Sequence, residues 1–194
     1  MVVNVCPVEE AAGVEAPGVD PAAFRTAISA FASGVTVITT EADGRPAGMT
    51  ASAVSSLSLD PVLLLVCVNT RLTTHRAIER SRRFVVNVLG EGQQDLALHF
   101  AQAGRDKFDG IRLRDDHDLP VLADAIAHFV CDLHEQFAGG DHSIFTGLVR
   151  DCAVDDWRRP LVYFQSSFGA LRDQALEQSQ EIALWDAVSY GVGT

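Results

Sequence analysis

Between residues 20 and 171 the hydrophobic pattern alternates between helical and strand periods, and the changes of period divide the chain into elements. Asp20 followed by Pro21 pairs an N-cap with a first helical position. Phe24, Ala27, Ile28 and Phe31 then recur at helical spacing until Gly34, which predicts an amphipathic helix. From Val35 the pattern turns to short β-branched runs. VTVITT, a turn at Asp43-Gly44, and a second run through GMTASAVSSLSL to a break at Asp60-Pro61 together predict a hairpin. VLLLVCV (62–68) and FVVNVL (84–89) are continuous apolar runs of strand length, with a short helix predicted from Thr73 to Arg83 between them. Residues 93–100 read as a helix and AGRDKFDG as a loop. Residues 125–137 alternate, with Phe129, Cys131 and Leu133 on one side and His128, Asp132 and His134 on the other. SIFTGLVRDCAV and LVYFQ complete the strands.

About seven short strands with few, brief helices predict a mainly β fold, a barrel or a sandwich. No regular βαβ alternation and no GxGxxG after a strand occur, so a Rossmann domain is not expected, and any nicotinamide is held in another way. Residues 1–19 mix Ala, Gly, Pro, Glu and Val without period and are expected to form a mobile arm. After Leu171 the chain turns Gln- and Glu-rich, with Leu176, Ile182, Trp185 and Val188 at helical spacing. Residues 172–194 are therefore expected to form an appended helical tail, which leaves 20–171 as the domain.

Composition narrows the class. A chain of 194 residues with 47% apolar residues supports one domain with a sizeable core. A formal charge of -11 argues against nucleic acid as a partner, because phosphate contacts need a basic face. Much of that charge lies at the two ends, where it serves solubility more than selection of a substrate. Cys6, Cys67, Cys131 and Cys152 have no metal-ligand spacing and are expected to be free thiols in a reducing compartment. The first residues carry no positive n-region followed by an apolar stretch, and no run approaches the roughly 18 apolar residues of a membrane span. The expectation is a cytoplasmic protein with no membrane partner.

Three segments carry candidate chemistry. Gly48-Met49-Thr50-Ala51-Ser52-Ala53 leaves strand backbone accessible, which suits a flat aromatic ring such as a flavin taking main-chain hydrogen bonds. It equally suits an edge strand or a tight barrel corner. Asn69-Thr70-Arg71-Leu72-Thr73-Thr74-His75 follows a strand and opens a helix, a natural seat for phosphate. Arg71, Arg76, Arg80, Arg82 and Arg83 make this the locally basic part of the chain; the other reading is a solvated helix face with Thr73 as its cap. Lys107, the only lysine, offers a second anion contact or is simply a surface residue. In Gly139-Gly140-Asp141-His142 the glycines free a turn, and His142 either donates to a nicotinamide or flavin or is an idle turn histidine. The other histidines lack paired ligand spacing, apart from His128 and His134 on one strand face, so no metal is assigned. Hydrolase chemistry has no anchor, since GxSxG and paired-carboxylate motifs are absent.

FRTAISAFASGVTVITT, GMTASAVSSLSLDP, VLLLVCVN, FVVNVL, the HFA at His99, the KF at Lys107, LPVL, GDHSIFTGLV and PLVYF, in this order and spacing, resemble the short-chain flavin reductase family. The resemblance runs from Phe24 to about Leu171 and names the reductase components of two-component flavin-dependent monooxygenases. It implies an FMN-binding split β-barrel of Greek-key type with a few short helices, and a homodimer whose flavin sites draw on both subunits. It also implies reduction of FAD or FMN by NADH or NADPH, NADH being preferred for want of an isolated Arg pair. Reduced flavin would then pass to a partner monooxygenase by diffusion or transient contact. Carried over by position, Gly48, Met49, Thr50, Ala51, Ser52 and Ala53 would meet the isoalloxazine. Cys67, Val68, Asn69, Thr70, Arg71, Leu72 and Thr73 would hold the ribityl phosphate or its extension. Phe100, Lys107 and Phe108 would lie near the flavin tail, while Ser33, His142 and Phe168 would receive nicotinamide, His142 as the catalytic candidate. The family often has tyrosine where Phe168 stands, and Ser-Phe or Asn-Ala-Phe near Ser52-Ala53-Val54. Two other readings remain open: a split-barrel flavoprotein that keeps FMN and oxidises its own substrate, or a non-enzymatic flavin- or haem-binding module.

Overall fold

Asp20 Oδ2 accepts the N–H of Ala23 at 3.1 Å and starts α1 (Pro21–Ile28), as the cap signal predicts. A computed structural model of the chain describes residues 18–104, 107–154 and 158–171, so nearly all of the predicted arm and the whole of the predicted tail lie outside the described residues. No residue of α1 is buried, and Phe24 and Ile28 of its apolar side are 58% and 52% exposed.

After the two-residue β1 (Ser33–Gly34) come β2 (Thr36–Ala42) and β3 (Arg45–Ala51), paired antiparallel. They are joined at Asp43-Gly44, where both residues have positive φ, the backbone of a type I′ turn. The long second run of the predicted hairpin is not one strand. It breaks at Ser52-Ala53, and β4 (Val54–Leu59) then pairs with β5 (Val62–Asn69) instead of with β2. The remaining elements are α2 (Thr73–Ser81), β6 (Arg83–Val88), α3 (Gln94–Ala101), β7 (Ala127–Gly139), β8 (His142–Val154), β9 (Leu161–Phe164) and β10 (Ser167–Ala170).

The strand order is β3-β2-β6-β7-β8-β5-β4 in a seven-stranded antiparallel sheet, with β1-β9-β10 forming a second sheet. The two edges of the larger sheet, β3 and β4, are consecutive in the chain and separated only by Ser52 and Ala53. A seven-stranded sheet whose edges are so tethered must curl on itself, and since no ladder joins β3 to β4 among the described residues, the barrel is split along that seam. The expected split barrel is what the chain forms.

Period-2 alternation fills both sides of the wall. Ile38, Phe84, Val86, Cys131 and Phe145 point into the barrel, while Val37, Leu89 and Phe100 form an outer cluster that α3 covers. Val85 and Val130 face outward against Leu119 and Val121. Several buried polar groups are satisfied by bonds between distant segments. Thr39 Oγ1 donates to the Pro120 carbonyl at 2.6 Å, and Asn87 Nδ2 donates to the Val37 carbonyl while its Oδ1 accepts the N–H of Leu122. These bonds hold the segment 119–122 to the barrel wall.

Candidate functional site

As an edge strand, β3 leaves one flank without a strand neighbour, and an open cleft of about 1010 Å³ lies beside it. Gly48 lines the cleft together with Thr73, Arg76 and Arg80 of α2 and with Lys107 and Phe108 of the loop after α3. Arg45 of β3 adds a fourth cation, against Asp43 and Asp109 on the same walls. In a chain of charge -11 this concavity is locally cationic.

Alternation divides the small-residue stretch. Met49 and Ala51 pack into the barrel core, Thr50 donates to the Ala97 carbonyl of α3 at 2.5 Å, and Ser52 and Ala53 are exposed at the seam. Gly48 has a structural reason that the sequence did not reveal. A Cβ there would stand 2.8 Å from Phe100 Cε1 and 3.2 Å from Phe108 Cζ, so the missing side chain makes room for the two rings. Those rings meet edge to face at 5.3 Å. Phe100 is fully buried and supports the cleft from behind.

Lys107 is not a plain surface lysine. Its Nζ donates to the carbonyl oxygens of Gly48 at 3.0 Å and Phe100 at 2.8 Å, and burial pulls its pKa below the usual lysine value. Two of its three protons are thereby committed to the protein, leaving one donor for a ligand in the cleft.

The N-terminus of α2 is open. Leu72, not Thr73, occupies the cap position, and no side chain caps the helix. The first-turn amides therefore remain available to an anion. Arg76 and Arg80 sit one helical turn apart on the cleft side, with Arg80 3.2 Å from Asp43. Arg83, from the same basic run, is instead structural: it holds Asp118 in a two-pronged bond and lies 3.5 Å from Asp132. The Arg83 guanidinium keeps the Asp118 carboxyl below the usual carboxylate range.

The two candidate segments for flavin converge at the seam, where Cys67 donates its N–H to the Ala53 carbonyl at 3.0 Å. Val68 is buried in the core, whereas Thr70, Arg71 and Leu72 are exposed. Asn69 lies opposite His142 in the β5–β8 pairing, and the 69–72 turn is laced to the β7–β8 turn by Thr70, whose N–H and Oγ1 both donate to the Asp141 carbonyl. Of the two turn residues only Gly140 has positive φ, the type II′ arrangement. His142 Nδ1 lies 2.7 Å from Asp141 Oδ1, and this bond lowers the Asp141 pKa. Ser33 and Phe168 come together on the small sheet, both opposite Tyr163, whose ring is 5.4 Å from that of Phe168. His142, Ser33 and Phe168 do not line the cleft beside Gly48.

Nothing in the sequence marks Arg45 as a site residue, and composition alone does not separate Arg76 and Arg80 from the neighbouring arginines. The i, i+4 spacing of the latter pair, in phase with Thr73, was the available signal; Arg45 carried none.

Fold and cleft define a split-barrel protein with a cationic seat beside an edge strand, suited to a phosphorylated, planar ligand. A family model described as "Flavin reductase like domain" matches residues 28–172, and the chain belongs to that family of oxidoreductases. It is 42% identical over 150 residues to the reductase component of a 4-nitrophenol 4-monooxygenase/4-nitrocatechol 2-monooxygenase from Rhodococcus opacus, covering 77% of this chain and 80% of that one. An NADH-dependent flavin reductase from Rhodococcus sp. is 36% identical, with 84% and 93% covered. Among solved structures, the NADH:FAD oxidoreductase SgcE6 of Streptomyces globisporus C-1027, in complex with NAD and FAD fragments, superposes with a TM-score of 0.75 at 34% identity. That match covers 82% of this chain and 99% of the other.

Proposed function

We propose that this chain is the NADH-using reductase of a two-component monooxygenase system, and that its flavin phosphate sits in the cleft between β3, α2 and the Lys107 loop. The observation that carries the proposal is the gathering of Arg45, Arg76, Arg80 and Lys107 around an uncapped helix start in an otherwise acidic chain. That donor set fits FMN or FAD: cations and free amides for phosphate, and accessible edge-strand backbone at the seam for the ring.

When bound, flavin and nicotinamide supply the hydride acceptor and donor, so the protein needs no nucleophile of its own. Its residues position and shield. Arg76, Arg80 and the α2 amides anchor the phosphate end. Backbone from Gly48 to Ala53 offers donors to the ring, with Ala53 and Cys67 fixed by their mutual hydrogen bond. The Ser33–Phe168 sheet and His142 are assigned to nicotinamide.

His142 and the Ser33–Phe168 pair lie on different sheets, and α1 leaves its apolar side uncovered. Both observations support a homodimer in which two subunits complete each site; no helix among the described residues is long and apolar enough to cross a membrane. A steady-state assay crossing NADH and NADPH with FMN, FAD and riboflavin tests the activity. Oxidation of NADH that depends on added flavin supports it; no flavin-dependent oxidation overturns it. Sedimentation equilibrium tests the dimer, and a monomer at assay concentration would remove the shared-site arrangement.

A further inference from the structure

On the outer face of the barrel, and lining no part of the cleft, His117, His128 and Asp151 each offer one ligand atom, and the three atoms lie within 4.8 Å of one another. His128 of β7 lies opposite Ala153 of β8, and Asp151 lies opposite Val130, so His128 and Asp151 are diagonal neighbours on one sheet face. That face is the reverse of the one on which Phe129 and Cys131 enter the core. His117 comes from the long segment between α3 and β7, and its ring meets that of His128 edge to face at 5.1 Å.

We propose that these three residues form a divalent transition-metal site of the zinc type, with a role in holding the 111–122 segment to the sheet. Asp151 Oδ2 is 3.7 Å from His128 Nε2 and 3.8 Å from His117 Nε2. Both separations exceed a hydrogen bond, yet they match ligand atoms arranged around a shared ion, since tetrahedral bonds of about 2.0–2.1 Å put neighbouring ligands ~3.3 Å apart. The two separations to Asp151 need to close by only a few tenths of an ångström, while the two histidine nitrogens, within 4.8 Å of each other, draw together as the His117 loop settles onto the ion. Two imidazoles and one carboxylate select zinc and its neighbours over magnesium or calcium, which prefer all-oxygen cages.

Burial is graded as such a site requires. The side chains of His128, His117 and Asp151 are 1%, 16% and 55% exposed, so the nitrogens sit inside and the carboxylate stands at the mouth, where water completes the coordination. Asp116, 3.7 Å from His117 Nε2, is held by two bonds from Arg114, which lower its pKa to about 2. It is committed elsewhere and is not needed as a ligand. None of the three proposed ligands lines the flavin cleft.

Full-length protein stripped with a chelator is titrated with Zn²⁺ against a chromogenic competitor, and with Co²⁺ followed by its visible d–d bands. The expected result is one equivalent bound, a tetrahedral Co²⁺ spectrum and a raised Tm with Zn²⁺. His117→Ala and Asp151→Asn, both at partly exposed positions, should weaken binding at least ~10-fold while leaving flavin reduction at wild-type rate. Absence of stoichiometric binding to the wild type overturns the proposal. So does unchanged affinity in both variants, which would place the ion elsewhere.

Discussion

Lys107 Nζ donates to the carbonyl oxygen of Gly48 at 3.0 Å, across the mouth of the cationic cleft. With the second bond to Phe100, one ammonium ties the edge strand, the end of α3 and the following loop together. Lys107→Met keeps most of the stem and deletes the donor. Two carbonyls lose a charge-assisted partner, so unfolding in urea should register a loss of about 1–3 kcal/mol. Flavin affinity, read by fluorescence quenching, should fall with it, because the wall of the cleft loses its tether. Unchanged affinity would make Lys107 a purely structural bridge.

Gly48→Ala tests the packing reason for the glycine. The added methyl enters the space of Phe100 and Phe108, an overpacking cost of ~1–3 kcal/mol. Combining it with Phe100→Leu should recover part of the loss, since the smaller side chain gives the methyl room. Additive losses in thermal unfolding would show that the clash is relieved by other movement.

Much of the barrel was legible because its signals are local. The Asp20 cap, the Asp43-Gly44 turn and the alternation through Phe129, Cys131 and Leu133 each depend on neighbours a few residues away. The run from Gly48 to Leu59 was not legible as two strands, because its division depends on β2 taking one half and β5 the other. Local composition is much the same on both sides of Ser52. β10, from Ser167 to Ala170, has only four residues and little apolar character, so it exists through pairing with β9. At the site, the basic helix start was visible as composition, but which arginines face the cleft is set by how α2 docks on β2 and β3. The grouping of residues 117, 128 and 151 depends on strand register and a loop crossing, which residue spacing does not encode.

Arg76→Ala separates phosphate recognition from ring recognition. If the cleft seats the flavin phosphate, the dissociation constants for FMN and FAD should rise roughly 10- to 100-fold, the range for a hydrogen bond to a charged group. Riboflavin, which has no phosphate, should bind the variant and the wild type alike. Equal losses for all three ligands would show that Arg76 shapes the cleft without contacting phosphate.

Arg83 and Asp118 supply a pH-dependent tether for the 111–122 segment. Hydrogen bonding from Arg83 depresses the folded pKa of Asp118 below its ordinary value of 3.8. A depressed carboxylate pKa contributes stability fully above the unfolded value and loses it as pH falls through the folded one. Asp118→Asn should therefore lower Tm modestly at neutral pH, the pair being largely exposed. The gap from wild type should shrink below about pH 4. A gap that stays constant down to pH 2 would mean that the carboxylate charge contributes nothing.

His142 is the remaining catalytic candidate, and its geometry gives the test a direction. The Asp141 carboxylate, charged at neutral pH, accepts a hydrogen bond from His142 Nδ1–H and so fixes the ring through that nitrogen, leaving Nε2 for a ligand. If Nε2 meets nicotinamide, His142→Ala should raise the NADH KM or slow flavin reduction in anaerobic stopped flow, with flavin affinity unchanged. His142→Asn retains hydrogen-bonding capacity without the imidazole ring and should recover part of the loss seen in His142→Ala. Asp141→Asn leaves the ring in place but removes the charge that orients it, so its effect should be the smaller and follow the same sign. Wild-type values for both NADH KM and the reduction rate in His142→Ala would remove this residue from the mechanism and leave Ser33 and Phe168 as the candidates for nicotinamide.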